Sequence, residues 1–254
     1  MKTLFRFTPH TNCCYRDDVV THSRLWFSKP DAFNDPLDSR LDYRQEYSQE
    51  EIESFWRGCL QSKPEQKLTI DGILQSWGSN AKFVEQQNKV FDQFRSQIGV
   101  CCFSGKPCNI LMWSHYTNNH KGIVYEFEPD LFLDSTTASF KGHPLKVDYA
   151  ANNKYDLLSY ALTGKPKQDQ FVKELTTKAI DWAYELEYRF IDLAQDGNKT
   201  YKKESLKTII FGAKTPEEEI ARIQNLSRQN DFDHVAFKQA KFKTGKFEIE
   251  LVDL

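Results

Sequence analysis

Apolar residues recur along this chain at two different spacings. Short β-prone runs read as strands at Leu4–Phe7 (LFRF), Arg24–Ser28 (RLWFS), Ile98–Phe103 (IGVCCF), Gly122–Phe127 and Leu145–Tyr149. Further runs follow at Glu187–Leu193, Lys207–Phe211, Val235–Phe237 and Phe247–Val252. Between them the spacing turns helical. Ser48 and Glu51 form a capping box that starts a helix near Gln49, and Ser62 and Glu65 repeat the signature. Phe83, Val84, Val90, Phe91 and Phe94 share a helical face within Ala81–Ser96. Shorter helices are expected at Asn109–Asn118 and Leu157–Leu162. Phe171, Leu175, Ala179, Trp182 and Ala183 form one stripe and predict a helix over Phe171–Trp182. Thr215, Pro216 and Glu218 read as N-cap, N1 proline and N3 glutamate of a helix that runs to about Arg228.

Strands and helices mix throughout, without an internal repeat or a low-complexity linker. The expectation is one α+β domain over residues 1–254, with about 48–97 inserted as helices. Composition narrows the class. With 39% hydrophobic and 28% charged residues the chain can bury a core. A net charge of −2 argues against a broadly polyanion-binding protein. No apolar run reaches the ~18 residues of a spanning helix, and MKTLFRFTPH has no apolar leader core. A soluble, cytoplasmic protein is expected. The six cysteines include two vicinal pairs, Cys13–Cys14 and Cys101–Cys102, which suits buried thiols better than bridges. Cys102, Cys108, His115 and His120 lie close in sequence but lack the spacing of a zinc site, so no metal is expected.

Four segments combine polar groups with aromatic residues. Arg6 alternates with Phe5 and Phe7, so it needs an anion, a carboxylate or a solvent-facing edge. Asn34 and Asp35 lie in FSKPDAFNDPLD, where turn architecture and a ligand-facing loop are both open. Ser104 precedes MWSHYTNNHKG, which holds Trp113, His115 and Tyr116; a tryptophan or histidine here serves packing more often than ligand contact. In WAYELEYRF, a strand would put Glu185, Glu187 and Arg189 on one face, with Arg189 holding one carboxylate ionised. The pattern E-x-E occurs five times, but only this copy is preceded by aromatic residues and followed by an arginine-bearing strand. A basic run, Lys238, Lys241, Lys243 and Lys246, interleaves Phe237, Phe242 and Phe247 and reads as a solvated strand pair or a local nucleic-acid patch.

In order, FNDPLD, CFSG, LMWSHYTNNHKGIVYEF, WAYELEYRF and IIFGAKTPEEE resemble bacterial domain-of-unknown-function family 2971. That family carries no established activity. The arrangement also resembles the ADP-ribosyltransferase fold, in its arginine–serine–glutamate class, which implies a split mixed or antiparallel β-sheet core. LFRF would supply Arg6, CFSG Ser104, and YELEYRF Glu185 and Glu187. FTPHTNCCYRDDVVTHSRLWFS resembles that fold's opening turn, helix and second strand. The usual serine–threonine–serine run is reduced here to one serine. The resemblance implies that Arg6 binds the pyrophosphate of NAD and that Ser104 orients Arg6, Glu187 or the ribose. Trp113 or Tyr116 would stack nearby. Glu187 would bond the ribose hydroxyls and stabilise the oxocarbenium-like centre, while Glu185 would orient or deprotonate a macromolecular acceptor, protein or nucleic acid. His115, Asn34 and Arg189 complete the candidate nucleotide-binding set. An effector of the toxin or phage-defence kind is implied. The alternatives are a non-catalytic nucleotide-binding module and a metal-dependent hydrolase or nuclease.

Overall fold

The computed structural model describes residues 3–11, 13–39, 42–43, 45–61, 69–151, 154–155 and 172–254. The chain divides into two compact units, residues 1–29, 98–147 and 181–254 in the first, and 30–97 and 148–180 in the second.

The first unit is built on a mixed, mostly antiparallel eight-stranded sheet. Its strands are β1 (Leu4–Thr8), β4 (Gly99–Ser104), β5 (Ile123–Phe127), β6 (Leu145–Lys146), β10 (Glu187–Asp192), β12 (Leu206–Phe211), β13 (Ala236–Phe242) and β14 (Ile249–Asp253). Across the sheet they run β14-β13-β12-β5-β1-β4-β10-β6. The first strand in sequence is therefore a central strand, which explains why Leu4, Phe5, Phe7 and Thr8 are all buried. Among the described strands of this sheet, β12 and β13 alone run parallel, and helix α6 (Glu217–Gln229) makes their crossover. One face of the sheet carries α1 (Cys13–Thr21), β2 (Arg24–Phe27) with β11 (Gly197–Thr200), and α6. Val19, Val20, Phe27, Phe127, Phe132, Phe190, Phe211 and Ile223 form the core there. On the other face α5 (Ile110–Tyr116) packs Met112 and Trp113 against Phe5, Phe7, Val124 and Ile210.

The close packing beside α5 needs two glycines. A Cβ on Gly122 would lie 2.1 Å from the Thr8 carbonyl, and one on Gly212 would lie 2.1 Å from that of His120. Across the α1–α6 contact, buried Arg16 meets Asp17 (3.1 Å) and Glu219 (2.8 Å), and Arg222 joins the same two carboxylates. Among the described residues, no helix is long and apolar enough to cross a membrane.

The second unit holds α2 (Gln49–Gln61), α3 (Ile70–Trp77) and α4 (Asn80–Arg95). It also holds two short parallel pairs, β3 (Asp42–Tyr43) with β8 (Lys154–Tyr155) and β7 (Asp148–Ala150) with β9 (Thr177–Ala179). Tyr47, Ile52, Phe55 and Phe83 form its core. The capping box is realised reciprocally: Ser48 N–H donates to Glu51 Oε2 (2.7 Å) and Glu51 N–H to Ser48 Oγ (3.2 Å). The helices expected at 48–97 thus sit in a unit that also takes residues 30–47 and 148–180. The Ser62–Glu65 signature and the Leu157–Leu162 helix lie outside the described residues, as do the side chains of Val90, Phe91 and Phe94.

Three expectations are corrected. Among the described residues of the stripe over Phe171–Trp182, only 172–175 are α-helical. Thr176 and Thr177 donate their hydroxyls to the carbonyls four residues back (2.7 Å each), and the chain then pairs as β9. The strand Leu145–Tyr149 breaks at Val147, with Leu145–Lys146 pairing to β10 and Asp148–Ala150 to β9. Helix α6 begins one residue late, with Pro216 at the N-cap, because the Thr215 hydroxyl bonds the Lys121 and Gly122 carbonyls (3.1 Å each) instead.

Asp192, at the far end of β10, is buried against Lys199 Nζ at 2.5 Å. Burial pushes its carboxyl up, but Lys199, the Ala194 amide and Ser139 outweigh that and hold it below the usual aspartate value. The folded-state value is depressed, so the stabilisation is full above the unfolded pKa and is lost as pH falls through the folded one. Asp192→Asn is expected to cost about 3 kcal/mol at pH 7 by leaving Lys199 without its carboxylate. In urea melts across pH, the gap to wild type should close below about pH 4.

Candidate functional site

The strands that carry Arg6, Ser104 and Glu187 are immediate neighbours, in the order β1-β4-β10. The β4–β10 ladder is continuous from Glu187–Ser104 to Asp192–Gly99, while β1 meets β4 at the single pair Phe5–Ser104. Phe5, Ser104 and Glu187 therefore form one row across the sheet and share a face. Arg6, one residue along, leaves β1 on the opposite face. Its Nη1 reaches the Cys102 carbonyl at 2.7 Å, so a guanidinium occupies a place where a ladder amide would otherwise stand. Among the described residues Arg6 is half-buried and pairs with no carboxylate. Arg16, Arg95, Arg189 and Arg222 each face one.

Glu187 and Arg189 are two apart on β10 and share a face, so they pair within the strand. Arg189 Nε and Nη2 donate to the two carboxylate oxygens at 2.7 and 3.0 Å. Both side chains are buried, Glu187 to 4% and Arg189 to 0% exposure. Cys102, directly across from Arg189, links this pair to Arg6 electrostatically. Burial first, and then the Glu187 carboxylate, push its thiol well up, while Arg189 and Arg6 act in the opposite direction. A thiol in that state is a poor nucleophile.

Glu185 does not belong to the strand, which corrects the expectation of three side chains on one face. It ends a 3-10 turn, Ile180–Glu185, and Leu186 takes a left-handed conformation (φ 48°) before β10 begins. That conformation costs a non-glycine residue ~1–2 kcal/mol, and a set of hydrogen bonds holds it. The Ser104 hydroxyl donates to the Glu185 carbonyl (2.7 Å), and the Gly105 amide to that of Leu186 (2.9 Å). Asn109 Nδ2 donates to the Tyr184 carbonyl (2.9 Å). Three consecutive carbonyls are thus gripped by the segment that leads from β4 into α5. Tyr116, at the other end of α5, donates its hydroxyl to Glu185 Oε1 (2.5 Å), and Glu185 is only 2% exposed.

The remaining candidates divide. Ser104 is buried and reaches neither Arg6 nor the Glu187 carboxylate; its hydroxyl lies between the Glu185 and Lys106 carbonyls, so it acts on the turn. Trp113 is core: its indole N–H donates to the Pro107 carbonyl (2.6 Å) and its ring packs edge-on against Phe7. His115 is exposed, with Tyr116 and Tyr184 beside it at ring separations of 6.5 and 6.4 Å. Asn34 belongs to the second unit, exposed in a loop where the Leu37 amide donates to Asp35 Oδ1 (2.9 Å), which is the turn architecture. Among the described residues, no group of three or more His, Cys, Asp or Glu side chains could hold a metal ion. Asn109 is the residue that sequence reasoning missed. Its signal was local, an Asx residue just before a helix; its Oδ1 caps α5 through Leu111 (2.9 Å) and Met112 (3.2 Å).

Residues 112–190, which span Trp113, Tyr116, Glu185, Glu187 and Arg189, match the model of a family described as protein of unknown function, DUF2971. No curated protein and no solved structure matches the chain.

Arg189→Met removes the cation that both Glu187 oxygens face. The expected cost is about 3–5 kcal/mol in denaturant melts, and adding Glu187→Leu should recover part of it. A buried carboxylate that has lost its cation is worse than none, so a double variant no more stable than Arg189→Met would contradict the pairing.

Proposed function

We propose that the first unit carries an NAD-dependent ADP-ribosyl transfer site. What supports it most directly is the adjacency of the three strands. An arginine on the first strand, a serine at the end of the next and an E-x-E turn opening the third lie on neighbouring strands, as the resemblance implies. Arg6 leaves β1 on the face opposite Glu187, so the dinucleotide would have to reach its guanidinium at the Cys102 carbonyl, in the gap where β1 and β4 part. The donor set suits a dinucleotide. Among the described residues Arg6 pairs with no carboxylate, and a guanidinium with N–H groups to spare is built for a pyrophosphate. Bound NAD would supply the bond that breaks, between its ribose carbon and the nicotinamide nitrogen, with nicotinamide leaving as the neutral base.

The chain's own residues would do the rest. Arg6 would grip the pyrophosphate. Glu187, held by Arg189, would bond the ribose hydroxyls and face the positive charge developing at the ribose carbon; fixed charge aimed at developing charge is worth more in a dry site than in water. Glu185 would accept the proton of the acceptor group as it attacks. The acceptor would be a macromolecule, in the manner of a toxin or phage-defence effector.

Purified protein incubated with nicotinamide-labelled NAD should release nicotinamide, with water attacking the ribose carbon in place of the macromolecular acceptor. Glu187→Gln should reduce release by at least about 100-fold, with melting temperature as the folding control. Arg6→Lys should raise KM for NAD about tenfold by exchanging a bidentate grip for a point charge. Full activity of Glu187→Gln would sink the proposal. Saturable NAD binding without release would point to a nucleotide-binding module.

A further inference from the structure

We infer that Asn109 and Tyr116 are positioning residues for the Glu185–Glu187 turn, working from the two ends of α5 as one brace. This rests on the transferase reading for its catalytic consequence, but the brace itself stands on geometry. Asn109 uses both ends of its amide. The oxygen caps α5 through Leu111 and Met112, and the nitrogen donates to the Tyr184 carbonyl. Seven residues on, Tyr116 holds the Glu185 carboxylate. Helix α5 is itself anchored by buried Met112 and Trp113 on Phe5, Phe7 and Val124. A rigid element packed on the sheet therefore ties the backbone before Glu185 and the side chain of Glu185 to the same body as β1 and β5. Leu186, left-handed and 37% exposed, has little packing of its own to keep it in that conformation. Without the brace the turn should relax toward ordinary backbone, and Glu185 would lose its orientation, while Glu187 keeps its hold on Arg189.

Asn109→Asp separates bracing from capping. The carboxylate keeps the cap of α5, and a negative charge at a helix N-terminus favours it, but it has no N–H for the Tyr184 carbonyl. Tyr116→Phe removes one hydroxyl and leaves the cap untouched. For each variant, steady-state nicotinamide release from NAD and hydrogen exchange at the Leu186 and Glu187 amides would be measured. Both variants should keep KM for NAD within about twofold and lose about 10- to 100-fold in kcat, and Leu186 should exchange about tenfold faster. Melting temperatures near wild type would exclude general unfolding. Wild-type kcat in both variants, or unchanged exchange at Leu186 in both, would overturn the inference. A fall in kcat matched by an equal rise in KM would also overturn it, since that is lost binding. If the wild-type protein neither binds nor cleaves NAD, the transferase reading fails, and the exchange rates still decide the brace.

Discussion

The register between β4 and β10 is the constraint on which the site depends. Six successive pairs lock it, from Glu187 opposite Ser104 to Asp192 opposite Gly99. Side chains alternate with a period of two, so a slip of one residue would send Glu187 and Arg189 to the aromatic core of Phe103 and Phe190, and those rings to the α5 face. Such a slip is doubly penalised, by charges entering an apolar layer and by phenylalanines leaving it. The same register brings the β4 end against the turn before β10, which lets Ser104 and Gly105 reach the carbonyls of Glu185 and Leu186.

Charge is handled in two ways around this ladder. Arg189 is wholly buried and finds its carboxylate two residues away, so that pair is satisfied as soon as the strand forms. Arg16 is equally buried and relies on Glu219, two hundred residues on, which waits on the α1–α6 contact. Arg6 is treated differently. It sits on a central strand, donates to a backbone carbonyl, and meets no carboxylate among the described residues. A structural arginine in a protein interior is normally neutralised. A half-buried one that is not is what an anion-binding role would require.

Legibility in the sequence followed the range of the interaction. The capping box of Ser48 and Glu51 was readable because its partners are three residues apart, and it is present as written. The same logic misled at Thr215, where a hydroxyl that could cap a helix is used by the Lys121–Gly122 backbone. The stripe from Phe171 to Trp182 has helical spacing, yet the β-branched pair Thr176–Thr177 and a partner strand at Asp148–Ala150 take it out of the helix. Periodicity records which side chains want burial, and an available sheet edge can satisfy that demand as well as a helix can.

Of the candidate site, Glu187 and Arg189 were legible as a pair because strand alternation alone puts i and i+2 on one face. The strand nature of LFRF, CFSG and EYRF, and the polar residues within each, were likewise legible from local pattern. Tertiary structure decided the rest. That Ser104 holds the turn before β10, that Trp113 is enclosed, and that Asn109 and Tyr116 reach Tyr184 and Glu185 all depend on contacts 69 to 81 residues apart, or on a helix seated on a sheet. Hydrogen bonds of that span have no periodicity to announce them, because their geometry exists only after strand order and register are set.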